Sequence, residues 1–452
     1  MMETPICDFV EAYAGSDSLR LHMPGHKGKS FLGMEKSDIT EIEGADVLYS
    51  AEGIIAESCL NASALFQSGK TLYSTEGSSL CVRAMLYLAL LYGRKTGKKP
   101  VITAARNAHK AFMTGAAALD IDIKWLYPHE QSNLISCVIT PEELERALDE
   151  MAEPPVAVFV TSPDYLGNMT DIAGLARVCH KRGVLLLVDN AHGAYLNFLP
   201  QSLHPMALGA DMCCDSAHKT LPVLTGGAYL HIGRNAPAEL SGWAQDAMSF
   251  FASTSPSYLI LQSLDKANAY LADGYGQKLA DFARPASSLK RRLEEKGFAL
   301  TGDEPLKLTI CPKSFGYRGM ELAAYLAGQG IICEFADPDF TVLMLSPEMG
   351  QADLARLEKA LMALNRRPEI TEKPPVPTKA ERVMSVRQAA LALSETVDAA
   401  QSEGRVLAAA AVSCPPAIPI AACGERISRS AVACFRYYGI KKCRVVAAET
   451  DK

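Results

Sequence analysis

The sequence has no long apolar run, no stretch of one charge sign and no metal-ligand spacing, and each absence excludes a class of protein. No hydrophobic run approaches the roughly 18–20 residues needed to span a bilayer, so no membrane segment is expected. The net charge of -6 comes from interspersed acids and bases, which argues against nucleic acid or an anionic membrane as partner. Cysteine and histidine occur without CxxC or comparable spacing, so we predict no metal site.

The first residues and the cysteines both indicate a cytoplasmic protein. Residues 1–10 contain acids and Pro5 instead of a basic segment followed by an apolar one, so no secretory leader is expected. The chain has 13 cysteines, an odd number, and Cys213 and Cys214 are adjacent, which disfavours a bridge between them. Most of the cysteines lie in apolar segments, where a reduced cysteine behaves as a small hydrophobe.

The 452 residues, 48% of them hydrophobic, are expected to form two or three globular units. From about residue 71, helix-like and strand-like runs alternate. The predicted helices cover 78–92, 107–119, 140–151 and 171–182, and the predicted strands cover 100–105, 121–127, 156–160 and 184–188. For the helix over 140–151 we predict Thr140 as the cap, with Pro141 at the first helical position and Glu143 three residues beyond the cap. This alternation predicts an α/β fold with a mainly parallel sheet covered by helices on both faces.

Beyond about residue 264 the pattern changes, and a division into five segments follows. Helical stretches near 267–296 precede shorter strands at 306–311 and 341–345, and residues 366–379 contain four prolines. The predicted segments are an N-terminal segment over 1–60, a large domain over 61–265, a small α+β domain over 266–365, a Pro-rich linker over 366–380 and a C-terminal subdomain over 381–452.

Two positions carry a strong chemical signal. Asp189 ends a buried apolar strand, and the carboxyl ends of such strands are where open α/β sheets bind ligands. A carboxylate there needs a partner, and the protonated nitrogen of a pyridine ring is one that fits. Lys219, in Ser216-Ala-His-Lys-Thr220, could form a Schiff base with a carbonyl cofactor. The alternative is that Asp189 caps a helix and that Lys219 is a surface lysine.

Two further segments are weaker signals. Gly77-Ser78-Ser79 opens a predicted helix, where backbone N–H groups, hydroxyls and the helix dipole together could bind phosphate. An ordinary capped helix explains the same pattern. His109 follows a predicted strand and could stack on a cofactor ring, although a histidine at a helix start is more often a cap or a core residue.

Taken together, the motifs resemble the Orn/Lys/Arg decarboxylase family, in its short bacterial form without an N-terminal receiver-like domain. In chain order they are Met23-Pro-Gly-His-Lys-Gly28, Arg106-Asn-Ala-His-Lys110, Thr161-Ser-Pro-Asp-Tyr-Leu-Gly167, Asp189-Asn-Ala-His-Gly193, Ser216-Ala-His-Lys-Thr220, Ser253-Thr-Ser-Pro-Ser-Tyr258, Pro415-Pro-Ala-Ile-Pro419 and Gly424-Glu-Arg. The resemblance implies a fold-type-I pyridoxal-phosphate enzyme, with an aspartate-aminotransferase-like large domain and a smaller α+β C-terminal part.

The resemblance also implies a role for each matching residue. Lys219 would bind pyridoxal 5'-phosphate as a Schiff base, Asp189 would pair with the ring nitrogen, His109 would stack on the ring, and Ala191 and His192 would lie against it. The phosphate would be held by Gly77, Ser78, Ser79, Ser216 and His218. Thr254 and Ser255 would reach the phosphate of a neighbouring subunit, which implies a homodimer or higher homo-oligomer with shared active sites.

Four positions depart from the family pattern, and the substrate is not identified. Glu76 stands where the family usually has Asn, Asp164 where it commonly has Thr, Asn190 where it has Glu, and Asp215 where it has Gln. The resemblance implies decarboxylation of arginine, lysine or ornithine to an amine that serves polyamine biosynthesis. The acids that could bind the side chain of the substrate are Asp38, Glu41, Glu43, Asp46 and Glu425, although for each of them a solvated surface acid is the favoured explanation.

Two other functions stay open at this point. The same fold hosts aminotransferases and other lyases, and an aminotransferase would bind the substrate carboxylate with an arginine, for which Arg318 is a candidate. A cofactor-binding regulator without turnover is a third hypothesis. It is disfavoured because a regulator would not require the Lys219, Asp189 and His109 set.

Overall fold

The computed structural model describes residues 2–129, 133–414 and 418–448, with the backbone alone for residues 411–414. The chain divides into two compact units. The first unit comprises residues 1–97 and 179–279, and the second unit comprises residues 98–178 and 280–452. The finer division predicted from composition, with its linker over 366–380, stays a prediction.

A seven-stranded, mostly parallel sheet carries the α/β part of the fold. Its strands are β1 (Lys70–Ser74), β2 (Val101–Ala105), β3 (Asp122–Leu126), β4 (Ala157–Thr161), β5 (Leu185–Asp189), β6 (Met212–Asp215) and β7 (Ala228–Ile232). The first unit contributes the order β1-β7-β6-β5 and the second unit contributes β4-β2-β3. Strand β2 runs parallel to β3 and β4, and β5 runs parallel to β6, whereas β7 is antiparallel to both of its neighbours.

Strand β5 shows why this sheet forms. All five of its residues are buried, and four of them are consecutive Leu or Val, the composition of a strand covered on both faces. Its register pairs Asp189 with Cys214 of β6. Because parallel strands end at the same edge, the turn after β5 and the turn after β6 lie side by side.

Fourteen helices are described: α1 (Pro5–Gly15), α2 (Ile54–Leu65), α3 (Ser78–Thr96), α4 (Lys110–Leu119), α5 (Pro141–Asp149), α6 (Ile172–Lys181), α7 (Ala217–Thr220), α8 (Ala238–Ser249), α9 (Tyr258–Ala272), α10 (Tyr275–Lys296), α11 (Gly319–Gly328), α12 (Gly350–Ala363), α13 (Val386–Leu391) and α14 (Arg429–Tyr437). The cap predicted for the helix over 140–151 is confirmed. The Thr140 hydroxyl accepts the Glu143 N–H, and the Glu143 carboxylate accepts the Thr140 N–H.

Three small antiparallel sheets lie in the second unit. Four strands form the order β10-β11-β9-β8, with β8 (Ala299–Thr301), β9 (Lys307–Cys311), β10 (Phe335–Ala336) and β11 (Thr341–Met344). Strand β12 (Ser394–Asp398) pairs with β15 (Lys442–Val446), and β13 (Ala411–Cys414) pairs with β14 (Ile418–Ala422). The turn predicted at Cys-Pro-Pro 414–416 falls largely on residues 415–417, which lie outside the described part of the chain.

The cysteines whose side chains are described all carry free thiols, and most are buried. Burial raises the pKa of Cys59 and of Cys179 to about 12, and it raises the pKa of Cys213 and Cys214 well above the usual thiol value. These side chains therefore act as small core residues, as predicted. No helix among residues 2–129, 133–414 and 418–448 combines the length and the apolar character needed to cross a membrane.

Candidate active site

The carboxyl edge of β5 and β6 brings together the strongest of the predicted residues. Asp189 is the last residue of β5, and His192 lies in the turn that follows it. Ser216 follows β6, and Lys219 lies in the short helix α7 after it. The Lys219 Nζ is 3.1 Å from the His192 Nε2, so the lysine donates a hydrogen bond to the imidazole. The sequence placed both residues in one site, and the structure brings them into contact.

Asp189 is a buried carboxylate, with 4% of its surface exposed. Its Oδ1 accepts the Ala191 N–H at 3.3 Å and the Cys214 S–H at 3.5 Å. Both donors are neutral, so among the described residues no positively charged group donates a hydrogen bond to this carboxylate. This is the environment that a protonated ring nitrogen would require.

The predicted phosphate turn opens helix α3. Gly77 has φ +71°, and its N–H donates a hydrogen bond to the Gly226 carbonyl at 2.7 Å. The next residues begin the first helical turn, whose N–H groups have no acceptor inside the helix. The Ser216 hydroxyl donates to the Ser78 hydroxyl at 2.8 Å, so the turn after β6 and the start of α3 meet. Ser79 lies beside Ser78 in the same first turn.

His218 has a different hydrogen-bond pattern from the one that its predicted role needs. Its Nδ1 is 2.9 Å from the carbonyl of Gly227, so Nδ1 carries a hydrogen and donates it. Burial lowers the pKa of His218, and the neutral ring therefore leaves Nε2 as an acceptor. A contact from Nε2 to phosphate would require the ring to gain a proton.

Glu76 does not present its carboxylate to the phosphate turn. Its Oε1 accepts the Ser253 N–H at 2.8 Å, which attaches the segment 253–258 to the start of α3. Thr254 and Ser255 are exposed, and within the described chain neither donates a hydrogen bond to Ser78 or Ser216. Their predicted contact with the phosphate of a second subunit stays a prediction.

His109 lies in the second unit, where it is the N-cap of α4. Its Nδ1 accepts the Ala111 N–H at 3.2 Å. The predicted stacking of this ring on a cofactor stays a prediction. Nearby in sequence, Arg106 donates to the Glu425 carboxylate at 2.7 Å, and its guanidinium lies 4.8 Å from the Trp125 ring centre.

The acids considered for substrate binding are now distinguishable by their contacts. Glu425 is buried and paired with Arg106, so the alternative that it is a solvated surface acid is wrong. The Asp38 Oδ2 is 3.1 Å from the His26 Nε2. The Asp46 carboxylate accepts the backbone N–H groups of Val47 and Glu52 and, at the start of α2, those of Gly53, Ile55 and Ala56. Glu41 and Glu43 are exposed.

Asp164, another departure from the family pattern, organises its own turn. Its Oδ1 accepts the N–H groups of Leu166 and Asn168 at 2.9 Å each, and its Oδ2 accepts the Asn168 amide at 2.9 Å. Burial raises the pKa of Asp164. The Asp164 carboxylate therefore holds its own turn through local hydrogen bonds.

The remaining departures, Asn190 and Asp215, belong to one buried network that sequence reasoning missed. The Asn190 Nδ2 donates to the Asp215 Oδ1 at 2.6 Å, and the Asp215 Oδ2 accepts from His204 at 2.9 Å and from His231 at 3.1 Å. The two histidines come from a loop and from β7 and follow no short motif with Asp215. Only the fold brings them together.

The donor set fits pyridoxal phosphate. Hydroxyl and backbone N–H donors lie at the start of α3, where a phosphate dianion would bind. A primary amine lies in α7, and a buried carboxylate lies at the end of β5, where a ring nitrogen would be held protonated. These are the three kinds of contact that the phosphate, the aldehyde and the pyridine nitrogen require.

Comparison with known proteins gives a consistent result. The family model described as Orn/Lys/Arg decarboxylase, major domain, matches residues 4–301. An arginine decarboxylase of Halalkalibacterium halodurans is 31% identical and covers 96% of this chain and 93% of its own. An arginine decarboxylase of Bacillus subtilis is 28% identical and covers 94% of this chain and 91% of its own.

Solved structures confirm the predicted fold. The lysine decarboxylase of Francisella novicida superposes with a TM-score of 0.81 at 18% identity, over 98% of this chain and 81% of that one. The constitutive lysine decarboxylase of E. coli superposes with a TM-score of 0.78 at 17% identity, over 98% of this chain and 82% of that one. Since the family model spans more than half of the sequence and a relative above 30% identity covers nearly all of it, the chain belongs to the Orn/Lys/Arg decarboxylase family.

Proposed function

We propose that this protein is a pyridoxal-phosphate-dependent decarboxylase that converts a basic amino acid into an amine and CO2. Arginine is the first substrate to test, because the two relatives described above are arginine decarboxylases. The observation that carries the proposal is the contact between Lys219 and His192 beside the buried Asp189.

Each residue has a definite task in this reaction. When bound, pyridoxal phosphate supplies an electron sink for the pair left on the α-carbon as the carboxylate departs. Asp189 holds the proton on the ring nitrogen, because its carboxylate has only neutral donors around it. The hydroxyls of Ser78 and Ser216 hold the phosphate end, which fixes the orientation of the reacting bond.

Lys219 and His192 then carry out the proton transfers of the reaction. The lysine amine must lose a proton to act as a nucleophile, and the His192 Nε2 that accepts its hydrogen bond is positioned to take that proton. After CO2 leaves, the α-carbon takes up one proton in its place. The Lys219–His192 pair is the donor that the geometry offers for this step.

An aminotransferase is the second candidate, and one contact disfavours it. Arg318, the arginine considered for a substrate carboxylate, is 2.7 Å from the Glu372 carboxylate, and both side chains are exposed. Arg318 would therefore have to leave an existing ion pair before it could bind a substrate.

A panel of amino acids separates the candidate reactions. Purified protein loaded with pyridoxal phosphate is incubated with arginine, lysine, ornithine and neutral amino acids, one at a time. Released CO2 and keto acid are both measured. We expect CO2 from a basic amino acid with no keto acid. Keto-acid formation would support an aminotransferase, and neither product from any amino acid would contradict an enzymatic role.

We further propose that the active unit is a homodimer in which Thr254 and Ser255 complete the phosphate site of the partner. The segment over residues 19–34 supports it, because it has little regular structure and exposes large apolar side chains. Their exposed fractions are 82% for Leu19, 81% for Leu21, 81% for Phe31 and 83% for Leu32. A second copy of the chain is the occupant that would cover them.

Complementation between inactive chains tests the shared site. A Lys219→Ala chain is mixed with a chain carrying Thr254→Ala and Ser255→Ala, and we expect part of the activity to return. One of the two sites in a mixed dimer then has both intact parts. Recovery should disappear when the first chain also carries Phe31→Ser and Leu32→Ser. A mixture without activity, or a fully active monomer at high dilution, would contradict the shared site.

A further inference from the structure

Asp215 lies at the centre of a hydrogen-bonded network that is completely buried. Asp215, Asn190, His204 and His231 are each 0% exposed. The network adjoins two residues of the proposed site in sequence, because Asn190 follows Asp189 and Asp215 precedes Ser216. An unneutralised buried charge is strongly unfavourable, so the hydrogens that surround this carboxylate determine whether it is ionised.

The hydrogen bonds fix where the protons are. The Met206 N–H donates to the His204 Nδ1 at 3.3 Å, so in a neutral ring the hydrogen is on Nε2, which faces Asp215. In His231, Nδ1 is 2.8 Å from the Thr71 hydroxyl, which can donate because the Ser68 hydroxyl is 2.7 Å away and can supply its own hydrogen. Burial lowers the pKa of His231, so this ring is neutral as well.

Asp215 consequently accepts three hydrogen bonds, one from the Asn190 amide and one from the Nε2 hydrogen of each imidazole, and remains ionised. Burial by itself would raise the pKa of Asp215, but the two imidazoles hold it well below its usual range. The same arrangement disfavours a metal ion among His204, Asp215 and His231, although the three are close enough to be considered as ligands. A ligating Nε2 would need its lone pair, and here it carries the hydrogen that faces the carboxylate.

The network connects the two turns that carry the site. The backbone ladder between β5 and β6 ends with the Asn190 N–H donating to the Cys214 carbonyl at 3.0 Å. The next connection is the 2.6 Å bond between the side chains of Asn190 and Asp215. Asp189 and Ser216 lie on either side of it. The spacing between the carboxylate meant for the ring nitrogen and the hydroxyl meant for the phosphate therefore depends on this bond.

We propose that Asp215 is a positioning residue, whose ionised carboxylate is held by His204, His231 and Asn190 and fixes the turn after β5 against the turn after β6. It would act on the cofactor through Asp189 and Ser216 without touching it. The inference rests on the proposed function, because the spacing matters only if one ligand spans both turns. In metal sites, the outer hydrogen-bond partners of the ligating residues typically contribute about tenfold or more to affinity, and we expect an effect of that order here.

Three variants test it. Asp215→Asn keeps the shape but places its amide against the Asn190 amide, donor against donor. The double variant Asn190→Asp with Asp215→Asn reverses that bond: the new amide donates to the new carboxylate, and its oxygen still accepts from both histidines. Asp265→Asn is the matched control, since Asp265 is equally buried in the same unit and accepts from Ile6, Cys7 and Ser58, outside the site.

The measurements are the cofactor dissociation constant, by absorbance titration, and the melting temperature of the cofactor-free protein. We expect Asp215→Asn to weaken cofactor binding by about tenfold. The double variant should recover most of that loss, and Asp265→Asn should lower the melting temperature without changing affinity. Wild-type affinity in Asp215→Asn would overturn the inference. If that variant fails to fold, a double variant that folds but binds no more tightly than about a tenth of wild type would also overturn it.

Two further outcomes are distinguishable. If the wild-type protein binds no pyridoxal phosphate, the proposed function fails, whatever the variants do. If the wild type binds and all variants bind equally, only the positioning role fails. Metal analysis of the purified protein completes the test. One equivalent of zinc that is lost in Asp215→Asn would overturn the assignment of both imidazole hydrogens to Asp215.

Discussion

In the first unit the buried carboxylates accept hydrogen bonds from groups other than lysine and arginine, whereas in the second unit two of them are paired with a lysine or an arginine. Asp189, Asp215 and Asp265 accept only from backbone N–H, thiol, hydroxyl, amide and imidazole groups. In the second unit Glu425 is paired with Arg106 and Asp339 with Lys313. Within the described first unit, no buried carboxylate forms a salt bridge with lysine or arginine.

The difference separates two uses of a buried acid. A carboxylate paired with arginine or lysine is already neutralised, so it contributes structure and offers little to a ligand. A buried carboxylate without a lysine or arginine partner can still pair with a cation that binds later. Asp189 in the first unit therefore has no lysine or arginine partner among the described residues, whereas Glu425 and Asp339 in the second unit are paired within the protein.

The largest expected effect comes from removing the amine that the first unit presents. Lys219→Ala should abolish turnover and the visible absorbance band of bound cofactor, because no other group in α7 can form the Schiff base. Borohydride treatment followed by peptide mapping measures this directly. The control is Lys266→Ala, an exposed lysine of the same unit. Cofactor fixed to another lysine in the wild type would contradict the assignment.

Removing the charge of Asp189 should have the next largest effect. Asp189→Asn is expected to keep cofactor binding but to lower kcat by at least about a hundredfold, because an amide cannot hold the ring nitrogen protonated. Asp211→Asn is the matched control, since Asp211 is buried at the other end of β6 and accepts from His180 and Leu186. Equal kcat values in Asp189→Asn and Asp211→Asn would contradict a specific role for the Asp189 charge in the reaction.

Breaking an ion pair in the second unit should affect stability instead. Glu425→Gln leaves the Arg106 guanidinium buried without its counter-ion, and we expect the free energy of unfolding to fall by about 3–5 kcal/mol. Replacing both residues by methionine should recover most of this loss. Urea denaturation measures the free energy of unfolding of both variants. Glu153→Gln, in an exposed pair with Lys99, should change nothing measurable. An equally stable Glu425→Gln would contradict a structural role for this ion pair.

The smallest effect concerns Asp337 and depends on pH. Burial raises the pKa of Asp337 to about 6; nearby Asp339 adds to this, while backbone N–H donors and Lys313 oppose it. The folded state therefore binds this proton more tightly than the unfolded state, and wild-type stability falls as pH rises from about 4 through about 6.

Asp337→Asn tests this dependence. Relative to wild type, the variant should gain up to about 3 kcal/mol in the free energy of unfolding as the pH rises from about 4 to about 7. Its Oδ1 can still accept the N–H groups of Asp339 and Phe340. The exposed Glu369→Gln serves as control. A difference between wild type and Asp337→Asn that is constant across this range would contradict the raised pKa.

Local sequence patterns predicted the elements that depend on local interactions. The capping box at Thr140 needs only residues three apart, and it is confirmed. The helical stretches predicted near 267–296 are part of two helices, α9 and α10, which separate where Gly274 has φ +75°.

The parts that could not be predicted depend on distant residues. The Asp215 network joins residues from β1, β6, β7 and two turns, and none of these spacings forms a recognisable motif. The pairing of Arg106 with Glu425 spans more than three hundred residues of sequence, so Glu425 could be considered only as one acid among five. Family resemblance supplied the candidate site, and only the fold showed which departures from the family pattern contact each other.

The buried thiols can report local opening of the folded protein. Alkylation requires a thiolate. Burial raises the pKa of Cys59 and Cys179 to about 12, and it raises the pKa of Cys213 and Cys214 well above the usual thiol value. Each of these cysteines can react only when its surroundings open and water reaches the sulfur. Labelling rates read by mass spectrometry would therefore give the opening frequency of β6, two residues before Ser216, without any introduced probe.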